Sequence, residues 1–245
     1  MRFEGKSVLV FGGSNGIGLA AARGFQAEGA RVAITGRDEA SLARVAAASG
    51  MLTLRSDMGS VSDSRAAVAR VVSEQGGIDV LFVNAGVGGF APAAEVTEDF
   101  WDGIHRVNLR GAFFAAQAAL PHLRDGGSMV FTGSIGAVLG LAGNMVYASA
   151  KAGLRAVART FAVELLPRRI RVNMVSPGPT ETEIFKRGAS AEQIAGFRKM
   201  LAAAVPMKRM GEADEVARAV LFLASPEASF INGVDLYVDG GCVEL

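Results

Sequence analysis

The sequence predicts an α/β fold: a single-domain, doubly wound parallel sheet with helices on both faces. Over its 245 residues, short runs of β-branched and aliphatic residues alternate with longer Ala-rich stretches. The short runs are apolar at consecutive positions, which is typical of parallel strands that are buried on both faces. No Pro-, Gly- or Ser-rich linker, charge block or internal repeat divides the chain. We therefore expect one domain spanning residues 1–245.

The elements follow one another in a regular order. Apolar, β-branched runs predict strands at 7–11, 31–35, 51–55, 80–84, 128–132, 170–176 and 236–238. Ala-rich stretches between them predict helices at about 17–28, 38–49, 62–74, 97–123, 146–166 and 212–224. Asp38 stands where an N-cap is wanted, whereas Gly103 and Gly111 weaken the long helix 97–123. Residues 180–209 are expected to form a helical flap.

Composition and charge exclude the secreted, membrane, disordered and fibrous classes. The 25 basic and 24 acidic residues leave a net charge of +1, whereas non-specific nucleic-acid binders need a basic excess. No apolar run approaches the roughly 20 residues that span a bilayer, and residues 1–6 do not begin a signal peptide. The one cysteine, Cys242, cannot form an intramolecular disulfide, so we expect a cytoplasmic protein. No metal site is predicted.

Glycine is unusually frequent, with 31 residues, or about 13 % against an average near 7 %. Several glycines fall in the turn from Gly12 to Gly18, of sequence GGSNGIG, after the first strand. In open α/β sheets ligands bind beyond the carboxyl ends of the strands, and a helix N-terminus attracts a pyrophosphate. The turn therefore indicates a dinucleotide site; a tight strand–helix turn without a ligand is the alternative.

The residues after the second strand discriminate between NADP and NAD. An acidic residue there binds the ribose 2′-hydroxyl of NAD, whereas an arginine accommodates the 2′-phosphate of NADP. Arg37 can pair with phosphate, and Gly36 before it leaves space. Asp38 keeps NAD open, although it also stands at the N-cap of the next helix. We favour NADP(H), with NAD(H) as the alternative.

Tyr147 and Lys151 are four residues apart and lie on one face of a predicted helix. A free tyrosine has a pKa near 10, so only about 0.1 % is ionised at pH 7. A neighbouring ammonium and an oxidised nicotinamide favour the phenolate, which makes the pair an acid–base catalyst near neutral pH. A surface tyrosine beside a solvated lysine is the alternative interpretation.

Other polar residues fall at the same edge of the predicted sheet. Asn84 follows the fourth strand and Ser134 follows the fifth, on the edge that carries the glycine-rich turn. Asn108 lies inside a predicted helix, where Asn is a poor helix former. Each of these residues suits an ordinary turn or a solvated surface, but their common edge indicates one functional site with Tyr147 and Lys151.

With these motifs the sequence resembles the short-chain dehydrogenase/reductase family over essentially its whole length. Order and spacing agree, including the separation of thirteen residues from Ser134 to Tyr147. The matching positions are Gly12, Gly16, Ile17, Gly18, Asp57, Asn84-Ala85-Gly86, Asn108, Ser134, Tyr147, Lys151, Pro177-Gly178, 206–211 and 238–241. The resemblance implies a Rossmann-type fold and an oxidoreductase. It is nearest to bacterial NADPH-dependent ketone reductases (secondary-alcohol dehydrogenases) and more distant from 3-oxoacyl carrier-protein reductases.

The resemblance also implies roles for individual residues. Tyr147 would pass a proton to the carbonyl oxygen, Lys151 would lower the Tyr147 pKa and bind the nicotinamide ribose, and Ser134 would hydrogen-bond the substrate oxygen. Asn108 would hold a water that links Lys151 to solvent. The cofactor would be bound by Gly12, Ser14, Asn15, Ile17, Arg37, Asp57, Met58, Asn84, Gly86, Tyr147, Lys151, Pro177, Gly178, Thr180 and Thr182.

Phe11 departs from the family pattern, which usually has Thr before the first glycine. A hydroxyl that braces the turn is then missing at this position. We expect an altered cofactor affinity and unchanged chemistry, because Phe11 is not among the reacting groups.

Substrate specificity is expected to depend on the flap at 180–209 and on residues near Ser134 and Tyr147. The candidates are Val87, Phe90, Ile135, Ala137, Leu139 and Asn144. Most are apolar, which favours a hydrophobic ketone or alcohol, although several of them suit a core equally well. The resemblance implies a homotetramer in which helices 97–123 and 146–166 pack against their copies. A redox epimerase or dehydratase, and a non-enzymatic cofactor-binding regulator, are alternative functions; such regulators usually lose the Tyr or the Lys.

Overall fold

A seven-stranded parallel sheet forms the centre of the computed structural model, which describes residues 1–181 and 191–245. The strands are β1 Ser7–Phe11, β2 Arg31–Gly36, β3 Leu52–Arg55, β4 Ile78–Val83, β5 Leu123–Thr132, β6 Arg171–Pro177, β7 Thr180–Glu181, β8 Gly211–Glu212 and β9 Asp235–Val238. The large sheet has the order β3–β2–β1–β4–β5–β6–β9, and β7 pairs with β8 in a small second sheet. The predicted α/β fold with a doubly wound parallel sheet is confirmed.

Helices connect the strands. Within the described residues they are α1 Gly16–Ala27, α2 Glu39–Ser49, α3 Val61–Gln75, α4 Glu98–His105, α5 Ala112–Ala119, α6 Met145–Glu164, α7 Ala191–Ala204 and α8 Ala213–Ala224. Asp38 caps α2, because its carboxylate accepts a 2.8 Å hydrogen bond from Ser41 N. Ser60 caps α3 in the same way through Asp63 N. Both side chains pair amides that the first helical turn leaves without an intrahelical partner.

The inner strands β1 and β4 are buried on both faces, as their sequence predicts, whereas the edge strands β3 and β9 are only partly buried. In β1, Val8 and Val10 belong to a core cluster with Phe25 of α1 and residues of α8. Leu9 and Phe11, which alternate with them, belong to a second cluster with residues of α3, α5 and α6. Because successive side chains of a strand point to opposite faces, helices must cover both sides of the sheet.

The residues predicted to form the functional site follow strands near the point where the strand order of the large sheet reverses. β1 pairs with β2 on one side and with β4 on the other. The connections that follow β1 and β4 therefore run to opposite faces and leave a crevice at the carboxyl edge.

The predicted long helix 97–123 is interrupted, which corrects the sequence prediction. Residues Arg106–Gly111 form a π-helical segment between α4 and α5, and Leu120–His122 form a 3₁₀ turn. At Gly111 a Cβ atom would overlap the carbonyl oxygen of Met58 in the loop after β3. This close approach requires glycine, and π segments of this kind are frequent at functional sites.

The start of β5 differs from the prediction, and the extent of the flap is not tested. β5 begins at Leu123 rather than at Ser128, because Leu123 pairs with Ile78 before a shift in the β4–β5 register. Of the predicted flap, β7, α7 and the chain up to 209 are described, whereas residues 182–190 lie outside the described part, so the extent of the flap stays a prediction. Within the described residues no helix is long and apolar enough to cross a bilayer.

Candidate active site

The glycine-rich turn is tied to its neighbours by side-chain hydrogen bonds. Asn84 Nδ2 donates to the carbonyl oxygen of Gly12 at 2.9 Å, and Asn84 Oδ1 accepts from Thr132 Oγ1 at 3.0 Å. A Cβ at Gly18 would overlap the Gly12 oxygen and lie 2.6 Å from Asn84 Nδ2. Asn84 therefore links the ends of β1, β4 and β5, and this close packing requires glycine at position 18.

The first turn of α1 leaves its amides available. Asn15, the N-cap residue, is extended and makes no side-chain capping hydrogen bond in the described part of the chain. Ser14 and Ile17 lie in the same turn and are partly exposed. Backbone N–H groups at a helix N-terminus are well suited to a phosphate, so this turn fits the pyrophosphate of a dinucleotide.

Thr35 supplies the hydroxyl that is missing at Phe11. Phe11 is fully buried in the core. Thr35 on β2 accepts a 3.2 Å hydrogen bond at its Oγ1 from Gly12 N, and its carbonyl oxygen accepts from Gly13 N at 2.9 Å. Thr35 was not predicted as a site residue; its only signal in the sequence is a polar side chain in a buried strand.

Asp38 already makes a hydrogen bond within the chain, whereas Arg37 has no partner among the described residues. Arg37 is exposed and makes no hydrogen bond or ion pair with any described residue. The Asp38 carboxylate caps α2, and hydrogen bonds from Ser41 hold the pKa of Asp38 below its usual value. Beyond β2, the cation is thus available to a ligand, whereas the carboxylate is occupied.

Asp57 and Met58 follow β3 at the same edge. The Asp57 carboxylate accepts a hydrogen bond from Gly59 N at 2.9 Å and lies 3.3 Å from the Arg106 guanidinium. Met58 is buried, with its carbonyl oxygen against Gly111. Both residues shape the loop that faces the turns after β1 and β2.

Lys151 is buried and anchored to the end of β5. Its Nζ donates a 2.8 Å hydrogen bond to the carbonyl oxygen of Thr132 and lies 5.8 Å from the centroid of the Tyr147 ring. Burial lowers the pKa of Lys151 to about 8. About nine in ten molecules then carry the ammonium at pH 7.

Tyr147 faces Ser134, and burial governs its ionisation. Burial raises the pKa of Tyr147, and a hydrogen bond with Ser134 partly opposes this rise. The Ser134 hydroxyl also accepts a 3.0 Å hydrogen bond from Gly136 N. The predicted lowering of the Tyr147 pKa by Lys151 is not found among the chain's own groups, because desolvation of the phenol dominates. A neutral phenol is the form that can donate a proton.

Asn108 lies in the π segment and is fully buried. Its amide nitrogen donates to the carbonyl oxygens of Val87 at 2.8 Å and Ile104 at 2.9 Å, and its Oδ1 accepts from Val87 N at 3.3 Å. A Cβ at Gly86 would lie 2.8 Å from Asn108 Oδ1 and 3.6 Å from Lys151 Nζ. Asn108 and Lys151 thus flank Gly86, and the water-binding role of Asn108 stays a prediction.

The end of β6 completes this edge. Gly178 N donates to the carbonyl oxygen of Val238 at 3.0 Å, and Thr180 Oγ1 donates to the carbonyl oxygen of Gly178 at 2.9 Å. Pro177 ends the strand beside them. Thr182 lies outside the described residues. The described members of the predicted site therefore all lie at or near the carboxyl edge of the large sheet.

Comparisons with known proteins agree with this geometry. The family model described as enoyl-(acyl carrier protein) reductase matches residues 12–243. A short-chain dehydrogenase/reductase of Serratia marcescens, solved as a mutant with two substitutions, superposes with a TM-score of 0.92 at 34 % identity and covers 99 % of this chain and 100 % of that one. The chain belongs to the short-chain dehydrogenase/reductase family. It is an oxidoreductase that uses a nicotinamide cofactor and a small-molecule substrate.

Two other similar proteins are informative about ligands. The 3-oxoacyl-[acyl-carrier-protein] reductase of Thermotoga maritima is 35 % identical over 250 residues, which cover 99 % of this chain and 100 % of that protein. A blue fluorescent protein from a metagenomic library, solved in complex with NADPH, has a TM-score of 0.90 at 34 % identity, with 99 % of both chains covered. Both similarities agree with the family of this chain, and the ligands named are those of the two relatives.

Proposed function

We propose that this oxidoreductase reduces an apolar ketone to the secondary alcohol, or catalyses the reverse oxidation, with NADP(H). The observation that carries the proposal is the cluster of Ser134, Tyr147 and Lys151 at the carboxyl edge. In it a phenol with a raised pKa meets a hydroxyl, and a mostly protonated lysine lies beside the ring. A nicotinamide cofactor bound at this edge would supply the hydride for reduction, or accept it in the reverse oxidation.

The residues of the chain supply the proton and hold the substrate. Ser134 donates a hydrogen bond to the carbonyl oxygen, and Tyr147 passes its phenolic proton to that oxygen as negative charge develops on it. The Lys151 ammonium stabilises the resulting phenolate until a proton returns from solvent. One ketone, one hydride and one proton give one secondary alcohol, so the two electrons that the ketone gains are those of the hydride and the proton is that of Tyr147.

The preference for NADP rests on Arg37 and Asp38. An exposed, unengaged guanidinium beyond β2 suits a 2′-phosphate, and the Asp38 carboxylate is already bound to Ser41 N. The turn between β1 and α1, where the N-cap side chain makes no capping hydrogen bond, supports a dinucleotide cofactor but does not discriminate between NADP and NAD. The complex of the metagenomic relative with NADPH supports the same assignment.

The apolar substrate class rests on the side chains near Ser134. Ile135 is buried directly after it, whereas Phe90, Val138 and Leu141 are largely exposed apolar side chains near this edge. Such surroundings favour carbon-rich substrates over polyols. The Thermotoga maritima relative favours a second candidate, reduction of a 3-oxoacyl thioester.

Replacing Tyr147 by Phe tests the chemistry. We expect kcat for ketone reduction to fall by about a hundredfold or more, because the proton donor is lost, while the Kd for NADPH changes by less than a few-fold. The matched control is Tyr237→Phe, since Tyr237 on β9 is the chain's only other tyrosine. Wild-type turnover by Tyr147→Phe would refute the mechanism.

A spectrophotometric screen of NADPH consumption separates the substrate classes. Apolar ketones, diketones, sugars and 3-oxoacyl thioesters are compared at equal concentration. We expect the highest kcat/KM for apolar ketones. A preference for thioesters selects the second candidate, and no net NADPH consumption with any carbonyl selects an epimerase, dehydratase or regulator.

A further inference from the structure

A buried ionic group lies behind the active site and takes no part in the proposed chemistry. Asp235 on β9 has only 4 % of its side chain exposed and lies with its Oδ2 3.4 Å from Arg155 Nε of α6. Its Oδ1 accepts a 2.5 Å hydrogen bond from Ser176 Oγ of β6. Neither Asp235 Oδ2 nor Arg155 Nε has a hydrogen-bond partner among the described residues. The Asp235 side chain is therefore buried, the Arg155 side chain is 39 % exposed, and the two facing atoms of the ion pair are buried without a hydrogen bond to any described residue.

Burial of the Asp235 carboxylate opposes stability. Burial raises the pKa of Asp235, and the hydrogen bond from Ser176 and the charge of Arg155 only partly oppose this rise. Because the native state then holds this proton more tightly than the unfolded state, ionised Asp235 lowers the free energy of unfolding at neutral pH. Buried ion pairs can often be replaced by apolar side chains of similar volume without loss of stability.

The group contacts both segments that carry catalytic side chains. Arg155 follows Lys151 by one helical turn and lies on the same side of α6. Ser176 is fully buried beside Gly133, where a Cβ atom would overlap the Ser176 hydroxyl. Gly133 precedes Ser134, and its N–H donates to the carbonyl oxygen of Val175 at 2.7 Å. The carboxylate thus joins α6 to the strand that supports the Ser134 segment.

We propose that Asp235 is a positioning residue for the reaction. Held between Arg155 and Ser176, its carboxylate keeps α6 in the placement against Gly133–Ser134 that lets Ser134 and Tyr147 share one substrate oxygen. The inference rests on the proposed roles of Ser134 and Tyr147, and Asp235 acts through them. Displacements of about 1 Å in such an arrangement reduce turnover by orders of magnitude.

Three variants of the group test the proposal. Asp235→Asn removes the charge at nearly constant shape, Arg155→Lys keeps the ion pair, and Arg155→Met/Asp235→Leu replaces the pair with apolar side chains. Asp125→Asn is the control, because Asp125 forms an exposed ion pair with Arg168 at the other end of β5. The readouts are kcat, KM for a ketone, Kd for NADPH and the midpoint of thermal unfolding.

We expect Asp235→Asn and the apolar double variant to lose about tenfold or more in kcat, with NADPH Kd within twofold of wild type. Arg155→Lys should keep at least about half of the wild-type kcat, since the ion pair remains. The midpoint of thermal unfolding of the double variant should lie within a few degrees of that of wild type. A residue with a merely structural role would not give a low kcat together with an unchanged unfolding midpoint. Asp125→Asn should match wild type throughout.

Wild-type kcat in the folded double variant overturns the proposal. So does failure of both Asp235→Asn and the double variant to fold, because the group is then structural. Tyr147→Phe is assayed in parallel. If that variant stays active, the proposed chemistry is wrong; if it is inactive while Asp235→Asn is fully active, only the positioning role is wrong.

Discussion

Three polar side chains at the carboxyl edge of the sheet, Asn108, Tyr147 and Lys151, are surrounded mainly by protein. Asn108 is held by three hydrogen bonds to backbone groups. Burial raises the pKa of Tyr147 and lowers that of Lys151 to about 8. These opposite shifts have one cause, since desolvation disfavours the phenolate and the ammonium alike. At neutral pH the site therefore holds a phenol that can give up a proton and a lysine that is still mostly charged.

Lys151 should make stability depend on pH. Its folded pKa of about 8 lies below the ordinary 10.5, so between these values the unfolded chain binds more protons than the native one. The free energy of unfolding of wild type, relative to Lys151→Met, should therefore rise by up to about 3 kcal/mol from pH 7 to 11. Urea titrations across this range measure it.

Lys199→Met is the control for this titration, because Lys199 is an exposed lysine of α7. A difference between wild type and Lys151→Met that does not change over this pH range would contradict the lowered pKa of Lys151.

Arg37→Asp should shift cofactor preference towards NADH. Loss of a charge-assisted contact with a 2′-phosphate should raise KM for NADPH about tenfold or more, and the new carboxylate suits a ribose 2′-hydroxyl. Initial rates with both cofactors measure the ratio. Arg65→Asp, the same charge change at an exposed residue of α3, should leave it unaltered. An unchanged ratio in Arg37→Asp would remove Arg37 from the cofactor assignment.

At the scale of elements, the interruption between α4 and α5 connects fold and site. The π segment carries Asn108, whose amide reaches both Val87 after β4 and Ile104 in α4. Gly111 at its end lets the loop after β3 approach the helix. The segment therefore brings the loops after β3 and β4 together beside Lys151, and a regular α-helix through these residues would alter this arrangement.

Alanine substitutions at Gly103 of α4 and at Gly111 of the π segment should change the free energy of unfolding in opposite directions. Gly103→Ala meets open space and should stabilise the protein by up to about 1 kcal/mol through helix propensity. Gly111→Ala overlaps the Met58 oxygen and should destabilise it by about 1–3 kcal/mol. Chemical denaturation of both variants measures the two signs. A stabilising Gly111→Ala would mean that the loop after β3 moves aside without cost.

At the scale of the whole molecule, the sheet is covered on both faces, yet large apolar side chains remain exposed on two helices that flank it. Trp101 of α4 is 40 % exposed and Val163 of α6 is 65 % exposed. Both belong to the helices through which the family resemblance implies contacts between copies. Exposed apolar side chains on these two helices would be covered if the helices packed against their copies.

We expect the chain to form a homotetramer, with a mass about four times 25.3 kDa by light scattering. Val163→Glu should reduce the mass, because a buried unpaired carboxylate opposes association. Ala47→Glu on α2, away from these helices, is the control. A wild-type mass of one chain would refute the expectation.

Most of the fold could be predicted because local patterns of residue types determine where strands and helices form. Apolar runs mark the strands of the large sheet, most clearly β1 and β4, which are buried at every position, and Asp38 begins α2 with the predicted N-cap. The spacing of Tyr147 and Lys151 predicted that both lie on one helix, and both lie within α6; their catalytic role stays a prediction. The break at 106–111 was missed, because it depends on the approach of Met58 from another part of the chain.

The sequence by itself determined the alternation of strands and helices, the family, and the residue types gathered at the carboxyl edge. Only the tertiary structure decided that Thr35 braces the turn in place of Phe11 and that Asn84 links Gly12 to Thr132. It also decided that Tyr147 and Lys151 are both desolvated, which raises the pKa of Tyr147 and lowers that of Lys151. The reason is physical: these partners are 23 to 72 residues apart in sequence, and desolvation depends on everything that packs around a group.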